Sequence, residues 1–149
     1  MKKLVTRAGA CTGCRMCEAV CSMSHFAESN PSRSRVAVRE DGLLGTFSAV
    51  VCRQCEEPAC VEGCPPRAIR LHPLLGNPVI DLESCTGCLA CIQACPHGAI
   101  FTDAATGAPL VCDLCGGDPA CARFCRRYPH KPHAALEWAE SPATGDSEL

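Results

Sequence analysis

Apolar residues in this chain come in short, interrupted groups. Arg35-Val36-Ala37-Val38-Arg39 alternates, and Thr46-Phe47-Ser48-Ala49-Val50 has strand character, with Asp41-Gly42 near the connection. That pattern predicts a hairpin. Ala68-Ile69-Arg70-Leu71 and Val79-Ile80-Asp81-Leu82, joined through Gly76-Asn77-Pro78, predict a second pair of short strands. Ala99-Ile100-Phe101 and Ala135-Leu136-Glu137-Trp138 repeat the first half of that signature. The longest apolar-looking stretch, residues 43–52, is broken by Gly45, Thr46 and Ser48 and is far too short to span a bilayer. After Trp138 the sequence turns polar and small, so 139–149 is expected to be a tail.

Elements this short need help to hold together. Hydrophobic residues are 47% of the chain, but 16 of the 149 residues are Cys, so the other apolar types amount to only about 36%. Aromatics are 4%, with 12 Pro and 12 Gly. A core that thin implies cross-linking by cysteine chemistry. Met1-Lys2-Lys3 is followed by only Leu4 and Val5 before Thr6 and Arg7, which gives no signal-peptide core, and no twin-arginine start is present. The expected compartment is the reducing cytoplasm, where thiols serve metals rather than disulfides.

The cysteines fall into four blocks of two kinds. Cys11, Cys14, Cys17, Cys21 and Cys85, Cys88, Cys91, Cys95 both read C-x2-C-x2-C-x3-C and both open Cys-Thr-Gly-Cys. Cys52, Cys55, Cys60, Cys64 and Cys112, Cys115, Cys121, Cys125 widen the middle gap to four and five residues, and both contain Pro-Ala-Cys. Three closely spaced thiolates on a turning loop reach three corners of one [4Fe-4S] cubane, and Gly13 and Gly87 let the backbone approach the sulfurs. In bacterial dicluster ferredoxins the fourth Cys of each run ligates the other cluster, so blocks work in pairs. Zinc explains a pair of C-x2-C knuckles but leaves the third and fourth cysteines of every block unused. Four clusters with sixteen thiolates would add roughly −8 to the formal charge of −2, giving about −10 and disfavouring a nucleic-acid surface.

The Cys-Pro endings at Cys64-Pro65 and Cys95-Pro96 match blocks two and three to each other, leaving blocks one and four to pair outside them. The expected fold is α+β: two nested dicluster-ferredoxin-like units with short hairpins and short helices around four clusters. It forms one domain over 1–138, with an inner unit at about 50–102 and an outer unit at about 4–49 plus 103–138. The nested ligand sets are Cys11, Cys14, Cys17 and Cys125 (cluster 1); Cys112, Cys115, Cys121 and Cys21 (cluster 2); Cys52, Cys55, Cys60 and Cys95 (cluster 3); Cys85, Cys88, Cys91 and Cys64 (cluster 4). Sequential pairing, one with two and three with four, is the alternative.

No P-loop, G-x-G-x-x-G or C-x3-C-x2-C pattern is present and no catalytic triad can be placed, so the chain reads as an electron carrier without its own catalytic site. Its five histidines are expected to lie at the surface or beside the clusters rather than among the ligands. Arg123, Arg126 and Arg127 near block four, against Glu56, Glu57 and Glu62 near block two, suggest a higher potential for the block-four cluster.

Two stretches carry a more specific resemblance: Cys21-Ser22-Met23-Ser24-His25 with Asn30-Pro31-Ser32-Arg33-Ser34-Arg35-Val36, and Cys112-Asp113-Leu114-Cys115-Gly116-Gly117-Asp118-Pro119-Ala120-Cys121. Over residues 4–138 the chain resembles four-cluster ferredoxin-type subunits related to the beta subunits of molybdenum and tungsten oxidoreductases, and in particular the small subunit of tungsten-containing aldehyde oxidoreductases. The resemblance implies nested pairing, a partner with a tungsten or molybdenum pterin that oxidises aldehydes, and a flavoprotein reacting with NAD or ferredoxin. Cys125-Arg126-Arg127-Tyr128 departs from the Cys-Pro common among those relatives. A free-standing polyferredoxin, or the wiring subunit of a hydrogenase, formate or CO dehydrogenase complex, is the competing reading. A linear row of clusters also has two ends, which makes self-stacking conceivable.

Overall fold

A computed structural model describes residues 1–42, 45–125 and 134–140 of the chain. In order, the elements are β1 (Lys2–Thr6), α1 (Met16–Phe26), a 3-10 turn at Pro31–Arg33, β2 (Val36–Asp41), β3 (Thr46–Val51), α2 (Ala59–Glu62), β4 (Ile69–Leu71), β5 (Pro78–Ile80), α3 (Ala90–Ala94), β6 (Ile100–Thr102), β7 (Pro109–Val111), a second 3-10 turn at Leu114–Gly117, α4 (Ala120–Cys125) and β8 (Leu136–Glu140). This is a mixed architecture of short helices and short hairpins, as the patterning predicts. Among the described residues no helix is long and apolar enough to cross a membrane.

Among the described residues the strands form four separate two-stranded antiparallel sheets. β2 pairs with β3 from Val36↔Val51 to Asp41↔Thr46. Alternation places Val36 and Val38 inward and leaves Arg39 out, which is the expected hairpin. The two smallest sheets are copies of one device. β4 pairs with β5 (Ile69↔Ile80, Leu71↔Pro78) and β6 with β7 (Ile100↔Val111, Thr102↔Pro109). Each hairpin starts five residues after the fourth cysteine of a block and returns through a proline.

β1 pairs with β8 across nearly the whole sequence, Leu4 facing Trp138 and Lys2 facing Glu140. The strand therefore continues to Glu140, two residues past the expected boundary at 138, because Lys2 and Lys3 give Glu140 and Ala139 backbone partners. Residues 141–149 of the expected tail lie outside the described residues. Buried Gln54 ties this sheet to block two: its Oε1 accepts the Leu4 backbone N–H at 3.1 Å, and its Nε2 donates to the Cys52 carbonyl.

The interior is as thin as the composition implies. Leu4, Val36, Val38, Val51, Ile69, Ile100, Val111, Leu114 and Leu136 belong to one contiguous cluster. Cys17, Cys21, Cys52, Cys64, Cys91, Cys112 and Cys121 are members of the same cluster.

Candidate iron–sulfur sites

Each block is a bent loop with at least one of its cysteines buried, while Cys14 and Cys88 stay exposed. In blocks one and three the bend is the same: Gly13 and Gly87 sit at φ +73° and +72°, and the residues after the second cysteine, Arg15 and Leu89, at +58° and +59°. Blocks two and four instead put the residue before the second cysteine in the left-handed region, Gln54 at +48° and Leu114 at +58°. Such φ values disfavour residues with side chains, so the four non-glycine positions carry local backbone strain. Phe47 lies against the Gly13 turn and Cys11 bridges to it, so that a β-carbon on Gly13 would meet the ring at 2.8 Å.

The thiols of different blocks converge. One cavity is lined by Cys11, Cys14, Cys17 and Cys125, with Val38, Ala49 and Leu136 as apolar wall. Another is lined by Cys21, Cys112, Cys115 and Cys121, together with His25, Arg35 and Asp113. A third brings together Cys52, Cys55, Cys60 and Cys95 beside Arg53 and His97. Cys64 and Cys85 lie close enough to Cys91 to raise its thiol, after the larger effect of burial, and Cys88 stands exposed. The fourth cysteine of a block thus faces thiols of another block, blocks one and four exchanging Cys21 and Cys125, and Cys95 joining block two.

Burial dominates the acidity of these thiols. It pushes Cys17 up to about 12, Cys52 up to about 11, and Cys112 and Cys121 well upward. Such thiols ionise only against a compensating positive charge, which an iron–sulfur core supplies. Among the buried thiols Cys21 is lowered instead: burial raises it, but bonds from His25, the Arg35 backbone N–H at 3.3 Å and Ser34 bring it below its ordinary value. Backbone N–H groups also aim at sulfur elsewhere. Ala68 donates to Cys64 at 3.3 Å, Ala99 to Cys95 at 3.5 Å and Leu114 to Cys112 at 3.4 Å. Sulfur-rich pockets with N–H groups directed at the ligands suit a cluster, since such bonds stabilise its anionic thiolates.

The comparisons with known proteins select the metal group. Residues 10–69 match the 4Fe-4S dicluster domain family and residues 78–101 the 4Fe-4S binding domain family. The chain is 38% identical to the polyferredoxin-like subunit of aliphatic sulfonate oxidoreductase from Pyrococcus furiosus, a match covering 80% of this chain and 69% of that one. It belongs to the ferredoxin-type iron–sulfur subunits of oxidoreductases. These ferredoxin-type subunits bind multiple [4Fe-4S] clusters and transfer electrons within oxidoreductase complexes. Another relative is the B subunit of the polysulfide reductase of Wolinella succinogenes, 33% identical over 77% of this chain and 66% of that one. The BamBC active-site complex of benzoyl-coenzyme A reductase, solved with 1,5-dienoyl-CoA, contains a polypeptide with TM-score 0.53 and 26% identity, the match covering all of this chain and 81% of that one.

The sequence reading of this ferredoxin-type subunit allowed for a histidine beside a cluster but did not join His25 to Asp113. His25, one turn after Cys21, places Nε2 3.0 Å from both oxygens of Asp113, which follows Cys112. The Asp113 hydrogen bond raises His25 to about 10. Burial pushes Asp113 upward, yet His25, the Cys115 N–H and Arg35 outweigh it and lower the carboxyl to about 2. The i,i+4 spacing of Cys21 and His25 on a helix was the available signal. Arg123, expected to bias this site, instead faces Asp118 at the surface at 3.1 Å, both side chains being mostly exposed. Arg126 and Arg127 lie outside the described residues, as do His130 and His133.

Proposed function

We propose that this chain is the wiring subunit of a tungsten or molybdenum pterin oxidoreductase, carrying electrons through four [4Fe-4S] clusters to a flavoprotein or another acceptor. The observation that carries the reading is the convergence of cysteines from different blocks on three separate cavities, each lined by four thiols. The ligand sets are Cys11, Cys14, Cys17 and Cys125; Cys21, Cys112, Cys115 and Cys121; Cys52, Cys55, Cys60 and Cys95; and Cys64, Cys85, Cys88 and Cys91. They make two nested units, one inside the other in the sequence. When bound, each cluster supplies a one-electron carrier; the chain contributes ligands, N–H groups and exclusion of water.

The sites form a row. Cys17 raises the thiol of Cys121, and Cys52 raises that of Cys112, so the block-one, block-four and block-two sites adjoin in that order. The block-three site completes it through Cys64 and Cys95. Cys14 and Cys88, the second cysteines of the two Cys-Thr-Gly-Cys turns, are the exposed ones. They mark the terminals. Aldehyde is the substrate class favoured for the partner, on the strength of the two stretches from Cys21 to Val36 and from Cys112 to Cys121. The relatives named above act with sulfonate, polysulfide and benzoyl-CoA enzymes, and affinity purification from the native host distinguishes among these.

Anaerobic analysis should return about 16 iron and about 16 sulfide per chain. Nested pairing requires Cys21→Ser and Cys112→Ser to abolish the same paramagnetic signal. Loss of one signal by Cys21→Ser and Cys52→Ser together would establish sequential pairing instead.

A further inference from the structure

The two stretches that carry the family resemblance, one after Cys21 and one after Cys112, meet at a single imidazole ring. His25 Nδ1 lies 2.7 Å from the Cys21 carbonyl oxygen, and its Nε2 lies 3.0 Å from each Asp113 oxygen. A carbonyl and a carboxylate only accept hydrogen bonds, so both ring nitrogens must donate and the ring is an imidazolium. No lone pair is left for a metal, which disposes of His25, Asp113 and Cys115 as an independent ion site even though their ligand atoms lie within 4.8 Å of one another.

Asp113 is shared. It also receives Arg35 Nη1 at 2.7 Å and the Cys115 backbone N–H at 2.9 Å. Arg35 in turn aims its own backbone N–H at Cys21 Sγ. Two cations therefore face one carboxylate, leaving one net positive charge against the cavity of Cys21, Cys112, Cys115 and Cys121, whose wall includes all three side chains. The His25 side chain is only 13% exposed, so water screens this charge weakly.

We propose that His25 is a positioning residue that holds the Cys21 turn against the Cys112–Cys115 loop and, as a fixed cation, raises the reduction potential of the cluster those four cysteines bind. The inference rests on the ligand set given under the proposed function. Reduction adds one electron and one negative charge to that site, with no bond made or broken. A cation held a few ångströms away favours the reduced form.

The test uses the whole chain, purified anaerobically with its clusters, and redox titrations followed by electron paramagnetic resonance. Cys112→Ser first identifies the signal of this cluster by abolishing it. His25→Gln, which can still span the two loops but carries no charge, should shift that signal to lower potential while iron content and the other signals stay put. His25→Lys, which restores the cation, should return the potential towards that of the wild type. Unchanged potential in a fully loaded His25→Gln protein would overturn the proposal, as would an equal shift of every signal. Should His25→Gln lose the cluster, His25→Lys decides: a near-native potential supports the charge role, and a potential that falls refutes it. A failure of the ligand reading shows separately, as survival of all signals in Cys112→Ser or as an iron content well short of four clusters.

Discussion

Arg33 grips Asp103 through two parallel hydrogen bonds, Nε to Oδ1 at 2.9 Å and Nη2 to Oδ2 at 3.0 Å, while its guanidinium stacks 3.7 Å above the Phe26 ring. The pair joins the segment after α1 to the loop between β6 and β7, seventy residues away. Planar bidentate geometry of this kind is available to Arg and not to Lys. Arg33→Lys should therefore behave nearly as badly as Arg33→Ala, each lowering the apparent melting temperature of the holoprotein by roughly 5 °C. A Lys variant that melts with the wild type would show that charge alone suffices.

Asp103 also sets a pH expectation. The bond from Arg33, aided by the Ala105 N–H and the Thr106 hydroxyl, lowers its carboxyl to about 2. A depressed folded value stabilises the protein fully above the unfolded value of about 3.9 and loses that contribution only as pH falls towards 2. The difference in melting temperature between the wild type and Asp103→Asn should hence be constant from pH 8 to pH 5.5. Thermal melts across that range check it, and a gap that closes by pH 6 would contradict the assignment.

Gly13 and Gly87 occupy the same place in equivalent turns with nearly equal φ, but only Gly13 has a neighbour, the Phe47 ring. Alanine at either position carries the left-handed cost of roughly 1–2 kcal/mol. At Gly13 it must also displace the ring. Gly13→Ala is expected to lose about a quarter of the bound iron, one cluster of four, while Gly87→Ala keeps nearly all of it. Parallel iron assays on the two variants decide, and equal losses would remove Phe47 from the explanation.

Removal of the metal should unfold the chain. Seven of the buried core residues among those described are cysteines, and three-residue hairpins cannot stand alone in water. Chelation under reducing conditions is expected to abolish most far-ultraviolet circular dichroism and to expose all sixteen thiols to a labelling reagent. Native-like ellipticity in the apoprotein would mean that the side-chain core suffices.

Cysteine spacing and short alternating runs made much of this legible. The β2–β3 hairpin followed from alternation around Val36 and Val38, and β4–β5 from its turn residues. β1 and β7 did not. Lys2-Lys3-Leu4-Val5-Thr6 has too few apolar positions to declare itself, and its partner lies some 130 residues on. Pro109-Leu110-Val111 is only three residues long and becomes a strand by analogy with Pro78-Val79-Ile80, once Ile100 is known to pair with Val111. His25 was legible as a neighbour of Cys21 but not as a partner of Asp113, because that contact joins segments 88 residues apart.

The pairing of β1 with β8 has a consequence for how the chain is made. At ribosomal rates of roughly 5–20 residues per second, the block-one cysteines emerge about 6 to 23 seconds before Leu136–Glu140 can be added beside Lys2–Thr6. During that interval the first four thiols of the nascent chain stand open to oxidation and to stray metal ions, whereas blocks two and three follow one another within about ten seconds. On the proposed nested pairing, the sites shared by blocks two and three would be complete in the nascent chain before those shared by blocks one and four.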